Sequence, residues 1–156
     1  MVRLMPMTQA AFDRYMETAV KEYAQAHIDA GDCEPEEALP LAQADYDTLL
    51  PEGLRTKDNY LLSIHAGDSD EPIGLIWFAV RQNLHKKSAF IYDFVIRPEF
   101  RRKGYGAETL REIETLIAGM GIGRIGLNVM GWNHAARALY ETLGYKVTGM
   151  GMRKLL

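Results

Sequence analysis

The sequence predicts one α/β domain, in which helices flank a central β-sheet, and three observations support that fold class. Its 156 residues, 47% hydrophobic and 25% charged, are enough for one buried core and ordinary for a soluble protein. The first 50 residues carry apolar side chains at helical spacing, whereas residues 59–96 carry them in short, nearly continuous runs. Helical spacing then returns twice in the last third of the chain. We therefore treat residues 1–156 as a single domain.

The N-terminal third predicts a short strand over residues 1–7 and two helices. Thr8 is suited to cap the first helix, whose apolar residues recur every three to four positions until Gly31. The second helix is expected to begin at Glu34–Glu37, because proline and carboxylates both suit a first helical turn. Pro51 ends it.

From residue 59 onward, the pattern predicts a sheet with two further helices. The expected strands cover residues 60–64, 73–80, 89–96 and 124–129, and the segment 145–155 predicts one more strand or a hairpin. One helix follows Gly104. The other begins at Asn133 and ends at Gly144, where glycine is the usual residue after a helix.

Composition excludes several classes of function. The net charge of −3 gives no electrostatic reason to expect nucleic acid as a partner. The single cysteine, Cys33, rules out an internal disulfide and suits the cytoplasm. No apolar stretch is long enough to cross a bilayer, the N-terminus lacks a signal-peptide pattern, and no Cys/His cluster suggests a metal. We therefore expect a soluble cytoplasmic protein that binds neither metal, membrane nor nucleic acid.

The chain is organised around a basic, glycine-containing turn, Arg101-x-x-Gly104-x-Gly106, between a strand and a helix. Glycines let the backbone approach a ligand closely, and the helix start presents unpaired N–H groups and a positive dipole end to an anion. The turn lacks the Gly-Lys-Ser/Thr of a Walker loop, and Thr109 stands where a dinucleotide fingerprint needs a small residue. The pattern predicts a diphosphate cradle; the alternative is a solvated basic loop.

A second motif lies one strand later: Asn133-x-x-Ala136-x-x-Leu139-Tyr140-x-x-x-Gly144-Tyr145. Together with the first turn and its lead-in Val-Ile-Arg-Pro-Glu-Phe, it resembles both signature regions of the Gcn5-related N-acetyltransferases (GNAT family). The resemblance covers residues 59–150 well and the N-terminal third in outline. It implies an α+β version of the predicted fold, with a mixed, mostly antiparallel sheet.

The resemblance also implies an activity: acetyl-CoA-dependent transfer of an acetyl group directly to a primary amine of a small molecule, peptide or protein. Acetyl-CoA is then the co-substrate and no metal is needed. A homodimer is one assembly that the resemblance allows. The motifs do not select an acceptor, so a polyamine, an amino acid, an antibiotic and a protein terminus all fit.

Carried over position by position, the resemblance implies a set of coenzyme-binding residues. The turn would wrap the pyrophosphate with main-chain N–H groups, and the end of the preceding strand would pair with the pantetheine arm and face the thioester carbonyl. Asn133 would contact the coenzyme, although a plain helix cap explains it equally well. The implied residues are Phe94, Val95, Ile96, Arg101, Arg102, Lys103, Gly104, Tyr105, Gly106, Ala107, Asn133 and Tyr140.

The catalytic residues follow from the same resemblance. Tyr140 matches the tyrosine that protonates the departing thiolate in many members, and a phenol stays protonated at neutral pH; the alternative is a core tyrosine. The base is open. The glutamate that some members carry five residues before the motif asparagine is Asn128 here, so Asp93, Tyr92 or a water chain remain. Cys33 lies outside both motifs, which favours direct transfer.

Two other functions remain to be weighed against the enzyme. A non-catalytic acyl-CoA-binding or sensory module on the same fold would bind acetyl-CoA without releasing thiol, but the presence of Tyr140 argues against it. Nucleic-acid binding through the basic turn is disfavoured by the negative net charge. For the enzyme, residues 20–58, including Tyr23, Tyr46 and the Leu50–Gly53 loop, are expected to shape the acceptor pocket.

Overall fold

A computed structural model describes residues 1–156, and its five-stranded sheet lies in the strand order β1-β2-β3-β4-β5. Neighbouring strands are antiparallel except for β4 and β5, which are parallel, so the mixed, mostly antiparallel sheet is confirmed. The strands are β1 Val2–Pro6, β2 Asn59–Ala66, β3 Pro72–Asn83, β4 Lys86–Ile96 and β5 Ile125–Leu127. The helices are α1 Gln9–Asp29, α2 Pro35–Leu49, α3 Tyr105–Gly119 and α4 His134–Thr142, and short 3₁₀ turns cover Gly53–Arg55 and Pro98–Phe100.

The predicted helix ends are confirmed because they depend on short-range chemistry. The hydroxyl of Thr8 accepts a hydrogen bond from the backbone N–H of Ala11 at 3.2 Å, which caps α1. Gly31 and Gly144 follow α1 and α4 with positive φ angles of 73° and 93°. Pro35 is the first residue of α2. None of the four helices is long and apolar enough to cross a membrane.

The sheet has an apolar core on each face, and each core belongs to different helices. On one face, Ile64, Ile76 and Phe78 pack against Leu110 and Ile113 of α3, all fully buried. On the other face, α1 packs on the sheet through a second cluster; its members are Met7, Phe12, Tyr15, Ala19, Leu50, Leu61 and Trp77. The two N-terminal helices therefore cover the face opposite α3.

A β-bulge in β4 changes which side chains point toward α1. Trp77 pairs with Asp93, but the next residue of β3, Phe78, pairs with Ile91, so Tyr92 is the extra residue. Ile91 and Phe94 both pack on the α3 side. Tyr92 and Asp93, which lie between them, therefore both project to the α1 side. The bulge thus settles an orientation that the strand pattern left open.

The prediction of a strand or hairpin over residues 145–155 is wrong. No helix or strand follows α4, and residues 146–156 are exposed. A strand needs a paired neighbour to be stable, and glycines at 149 and 151 offer no side chain to pack. The segment is instead tied to the end of α1, because Arg153 donates to the carbonyl of Ala30 at 2.9 Å and pairs with Asp32 at 2.8 Å. Strand β5 is likewise shorter than the predicted 124–129.

Candidate functional site

The basic turn before α3 presents a continuous row of unused backbone donors. No backbone N–H from residue 102 to residue 107 donates a hydrogen bond within the protein, and the first bond at the start of α3 runs from Glu108 to the carbonyl of Gly104 at 3.1 Å. Arg102 and Gly104 have positive φ angles of 62° and 87°, which turn these donors around the loop. Successive N–H groups at a helix start form an anion-binding concavity. The geometry fits the predicted diphosphate cradle.

Free positive charge surrounds the same turn. Arg101, Arg102 and Lys103 are exposed and take part in no ion pair. Arg97, by contrast, is neutralised by Glu71 and Glu99, each at 2.8 Å. The cations available to a phosphate are therefore those of the turn itself.

The strand that leads into the turn has an open edge. Strand β5 pairs with β4 only at Ala89–Ile91, while β4 continues along β3 to Ile96. The N–H of Arg97 donates to Ile73 of β3 at 2.8 Å, so by the alternation of an antiparallel ladder the backbone groups of Phe94 and Ile96 face away from β3. Arg101 confirms this direction, because its Nε donates to the carbonyl of Ile96 at 2.7 Å. A gap with backbone donors and acceptors thus opens beyond the end of β5.

Gly106 lets helix α3 approach the neighbouring elements closely. A Cβ atom at this position would lie 3.2 Å from Leu139 of α4 and 4.0 Å from Phe94 of β4. The three elements that carry the predicted coenzyme-binding residues meet here. Glycine at 106 therefore sets the distance between the donor-rich turn and the open strand edge.

Asn133 caps helix α4, which is one of the two roles predicted for it from the sequence. Its Oδ1 accepts a hydrogen bond from the N–H of Ala136 at 3.2 Å. Its side-chain amide N–H₂ makes no hydrogen bond within the protein. The cap uses only the acceptor, so the donor stays available to a ligand.

Tyr140 lies on α4 with a phenol that the protein does not use for hydrogen bonding. Its ring packs beside the main core, and its Oη has no hydrogen-bond partner. Burial raises the pKa of Tyr140, and the negative charge of Asp93 raises it further. The two side chains that the sequence suggests as acid and base are therefore close enough to interact. The phenol stays protonated at neutral pH, as a proton donor requires.

Asp93 is held by a residue that sequence reasoning did not single out as functional. The Oη of Tyr15, on α1, donates a hydrogen bond to the Asp93 carboxylate at 2.9 Å. Burial raises the pKa of Asp93, while the bond from Tyr15 and the nearby N–H of Phe94 oppose that rise. Asp93 takes part in no ion pair. A partly buried carboxylate without a cation is a stronger base than an exposed one.

Tyr92, the other candidate base on this strand, is engaged elsewhere. Arg81 donates a hydrogen bond to its hydroxyl, and its ring stacks on Trp77 with the centroids 4.5 Å apart. Trp77 itself is buried in the sheet, with its indole N–H donating to Asn59 at 2.8 Å. Of the two side chains that the bulge brings to the α1 side, Asp93 is the one free to accept a proton.

A large cleft borders the site residues only at Tyr140. Its volume is about 1050 Å³, and it is lined by the end of α3, by β5, by α4 and by residues 143–151. Tyr140 is the only predicted site residue on its wall, and no residue of β4 lines it. The cleft therefore includes β5 and α4 but not the open edge of β4.

The fold and this arrangement define an acyltransferase. A row of unused backbone N–H groups stands beside a strand edge whose backbone groups can pair with an extended ligand. The Asp93 carboxylate belongs to that strand, and the Tyr140 phenol belongs to α4. The structure brings together no group of three or more His, Cys, Asp or Glu side chains placed to hold a metal ion.

Comparisons with known proteins give the family. The model of the acetyltransferase (GNAT) family matches residues 14–145. YycN of Bacillus subtilis, described as an uncharacterized N-acetyltransferase, is 34% identical over 155 residues, which are 99% of both chains. The crystal structure of YycN has a TM-score of 0.91 and 33% identity, covering 100% of this chain and 99% of that one. A thialysine N-epsilon-acetyltransferase of Caenorhabditis elegans is 37% identical over 82 residues, 49% of this chain and 48% of that protein.

The chain belongs to the GNAT family of acetyltransferases and is an N-acetyltransferase. The family generally uses acetyl-CoA as co-substrate and amines as acceptors.

Proposed function

We propose that this enzyme transfers an acetyl group from acetyl-CoA directly to a primary amine. The observation that carries the proposal is the row of unused N–H groups from residue 102 to residue 107, beside an open strand edge. A generic basic surface would not need to leave every donor of the turn free. Acetyl-CoA supplies the diphosphate for the turn and the activated acetyl group for the strand end.

Binding of the donor is assigned to the residues that the motifs indicate. Residues 101–107 hold the pyrophosphate through their backbone N–H groups and free cations. Within residues 94–96, Phe94 and Ile96 present backbone groups to the pantetheine arm, in the manner of an added strand. The free amide N–H₂ of Asn133 donates to the coenzyme while its Oδ1 caps α4.

The chemistry is divided among three groups of the protein. Asp93 accepts the proton of the acceptor ammonium, because an alkylammonium with a pKa near 10.4 cannot attack until it is deprotonated. A backbone N–H of residues 94–96 donates to the thioester carbonyl oxygen as the new C–N bond forms. Tyr140 gives its proton to the sulfur as the C–S bond breaks, and the second proton of the former amine nitrogen passes to the resulting tyrosinate as the amide forms. The proton on Asp93 returns to solvent. Each bond made and proton moved is thereby balanced.

Cys33 takes no part in this scheme. It packs against the contact between α1 and α2, in a cluster with Val20, Ala24, Ala38 and Ala42. It therefore lies on different elements from the turn and from the open edge of β4. This location supports direct transfer rather than an acetylated cysteine.

Two measurements test the proposal. Calorimetric titration with acetyl-CoA should show saturable binding, and no binding at millimolar ligand would overturn the donor site. Release of free coenzyme A should then be followed across a panel of amines. Binding without thiol release for any amine would favour a non-catalytic acyl-CoA-binding module instead.

A further inference from the structure

Aromatic side chains surround Asp93 on the α1 side of the sheet. We call four of them the acceptor cluster: Tyr15, Tyr46, Trp77 and Tyr92. Trp77 stacks on Tyr92 with centroids 4.5 Å apart, and Tyr46 lies 6.1 Å from Trp77. Tyr15 is buried and holds the carboxylate, whereas Tyr46 and Tyr92 remain partly exposed. Aromatic faces beside a carboxylate are well suited to an ammonium group.

A second carboxylate, Glu22, faces the same cluster. It lies seven residues after Tyr15 on α1, which places it on the same side of the helix and about 10 Å further along. Its charge is also among the causes that raise the pKa of Asp93 and of Tyr46, after burial, which agrees with its place on that side of α1. Glu22 is exposed and has no ion-pair partner.

The positive groups near the cluster do not neutralise these carboxylates. Arg81 is the cation in contact with it: its guanidinium lies 4.1 Å over the ring of Phe90 and 4.8 Å over that of Tyr92, and it bonds the Tyr92 hydroxyl. It makes no ion pair with Asp93 or Glu22. The acceptor side of the site therefore carries two uncompensated negative charges separated by aromatic surface.

We infer that Glu22 is a specificity-determining residue and that the acceptor is a linear aliphatic amine with a second ammonium group, a diamine or polyamine. The inference rests on the proposed acetyl transfer. The reacting amine lies at Asp93 beside the open edge of β4, the alkyl chain crosses the partly exposed rings of Tyr46 and Tyr92, and the distal ammonium approaches Glu22. An amino acid is disfavoured, because its α-carboxylate would face Glu22, whereas Arg81 is engaged by the rings of Phe90 and Tyr92 and by the Tyr92 hydroxyl.

The test compares three amines of similar length: cadaverine, n-pentylamine and lysine. Coenzyme A release should give a kcat/KM for cadaverine about tenfold above that for n-pentylamine, and lysine should be poorer than cadaverine. The preference should shrink at high ionic strength, because an exposed charge pair is screened. Equal rates for cadaverine and n-pentylamine, or a preference for lysine, would overturn the inference while leaving acetyl transfer intact.

A matched pair of variants assigns the preference to Glu22. Glu22→Gln should lower the ratio of kcat/KM for cadaverine to that for n-pentylamine by about three- to fivefold, as expected for one solvent-exposed pair. Any effect of the lost charge on Asp93 acts on both amines and cancels in this ratio. Glu17→Gln is the control, since Glu17 lies on the same helix but pairs with Lys21 at 3.2 Å. An unaltered preference in Glu22→Gln, or the same loss in both variants, refutes the role of Glu22. Absence of thiol release with every amine would count instead against the proposed function.

Calorimetry provides a readout that does not depend on turnover. Cadaverine should bind the enzyme saturated with coenzyme A more tightly than n-pentylamine does, and Glu22→Gln should remove most of that difference. If cadaverine binds no better than the monoamine, the acceptor assignment fails whatever the activity data show.

Discussion

The hydrogen bond from Tyr15 to Asp93 leads to a prediction about the pH dependence of catalysis. Tyr15→Phe removes one hydroxyl and leaves the ring, so the buried packing of α1 is kept. The lost donor stabilised the charged form of the carboxylate, at a distance of 2.9 Å. Its removal therefore raises the pKa of Asp93 above its already raised level in the parent protein.

The size of the effect follows from the kind of bond that is lost. A hydrogen bond to a charged group contributes about 1.5–3 kcal/mol, and we expect the lower end because Asp93 is only partly buried. Each 1.36 kcal/mol is a factor of ten in rate, so kcat/KM on the acidic side of the profile should fall roughly tenfold or somewhat more. At a pH where Asp93 is ionised in both proteins the effect should largely vanish.

The assay is coenzyme A release measured across the acidic limb of the kcat/KM profile. The base must be ionised to act, so activity rises with pH through the pKa of Asp93, and Tyr15→Phe should move this limb to higher pH. Tyr60→Phe is the control, because Tyr60 stacks on Phe78 within the opposite core. A limb that stays in place while activity falls uniformly would refute Asp93 as the base that Tyr15 tunes.

Three further predictions follow. Tyr140→Phe should leave the Kd for acetyl-CoA near normal and lower kcat about a hundredfold or more, because the variant lacks the proton that is donated to the thiolate. Unchanged release of coenzyme A by this variant would exclude Tyr140 as the acid. Asp93→Asn should abolish most activity but raise Tm at neutral pH, because burial raises the pKa of Asp93 and its charged form therefore costs stability there. In thermal denaturation, each kcal/mol gained in the free energy of unfolding should raise Tm by about 2–4 °C. The increase should disappear at acidic pH, where the aspartic acid of the parent and the asparagine of the variant are both neutral. A Tm difference that does not depend on pH would contradict this explanation. Gly106→Val should weaken acetyl-CoA binding about tenfold in calorimetry, because a Cβ added at this position would lie 3.2 Å from Leu139. Gly119→Ala is the control and should bind normally, because no atom lies within 4 Å of a Cβ added there.

The features that sequence predicted well depend on interactions over a few residues. The donor-rich turn appears where the glycine spacing indicates it, and Asn133 caps the helix that carries Tyr140. Both follow from cap chemistry and from the conformations that glycine allows, which neighbouring residues decide. The family resemblance, carried by the same two motifs, is confirmed by the match over residues 14–145.

The features that sequence could not settle depend on pairing between distant segments. The orientation of Asp93 depends on a bulge, which exists only in the register between β3 and β4. The expected strand after Tyr145 is absent, because alternation in a sequence does not supply a partner strand. Tyr15 carries only the signal of a core-facing helix position. Its hydrogen bond to Asp93 depends on how α1 packs against the sheet.

The sequence by itself determined the anion-binding turn, the helix with Tyr140, and through them the family of the protein. The tertiary structure decided which carboxylate is available for the proposed role of base and what surrounds it, since Tyr15 and Asp93 are 78 residues apart in the chain. Local conformational preferences act over a few residues, and they fix the parts that hold the coenzyme. The acceptor side is assembled from α1, α2 and the bulged strand, so its chemistry depends on how the helices pack against the sheet.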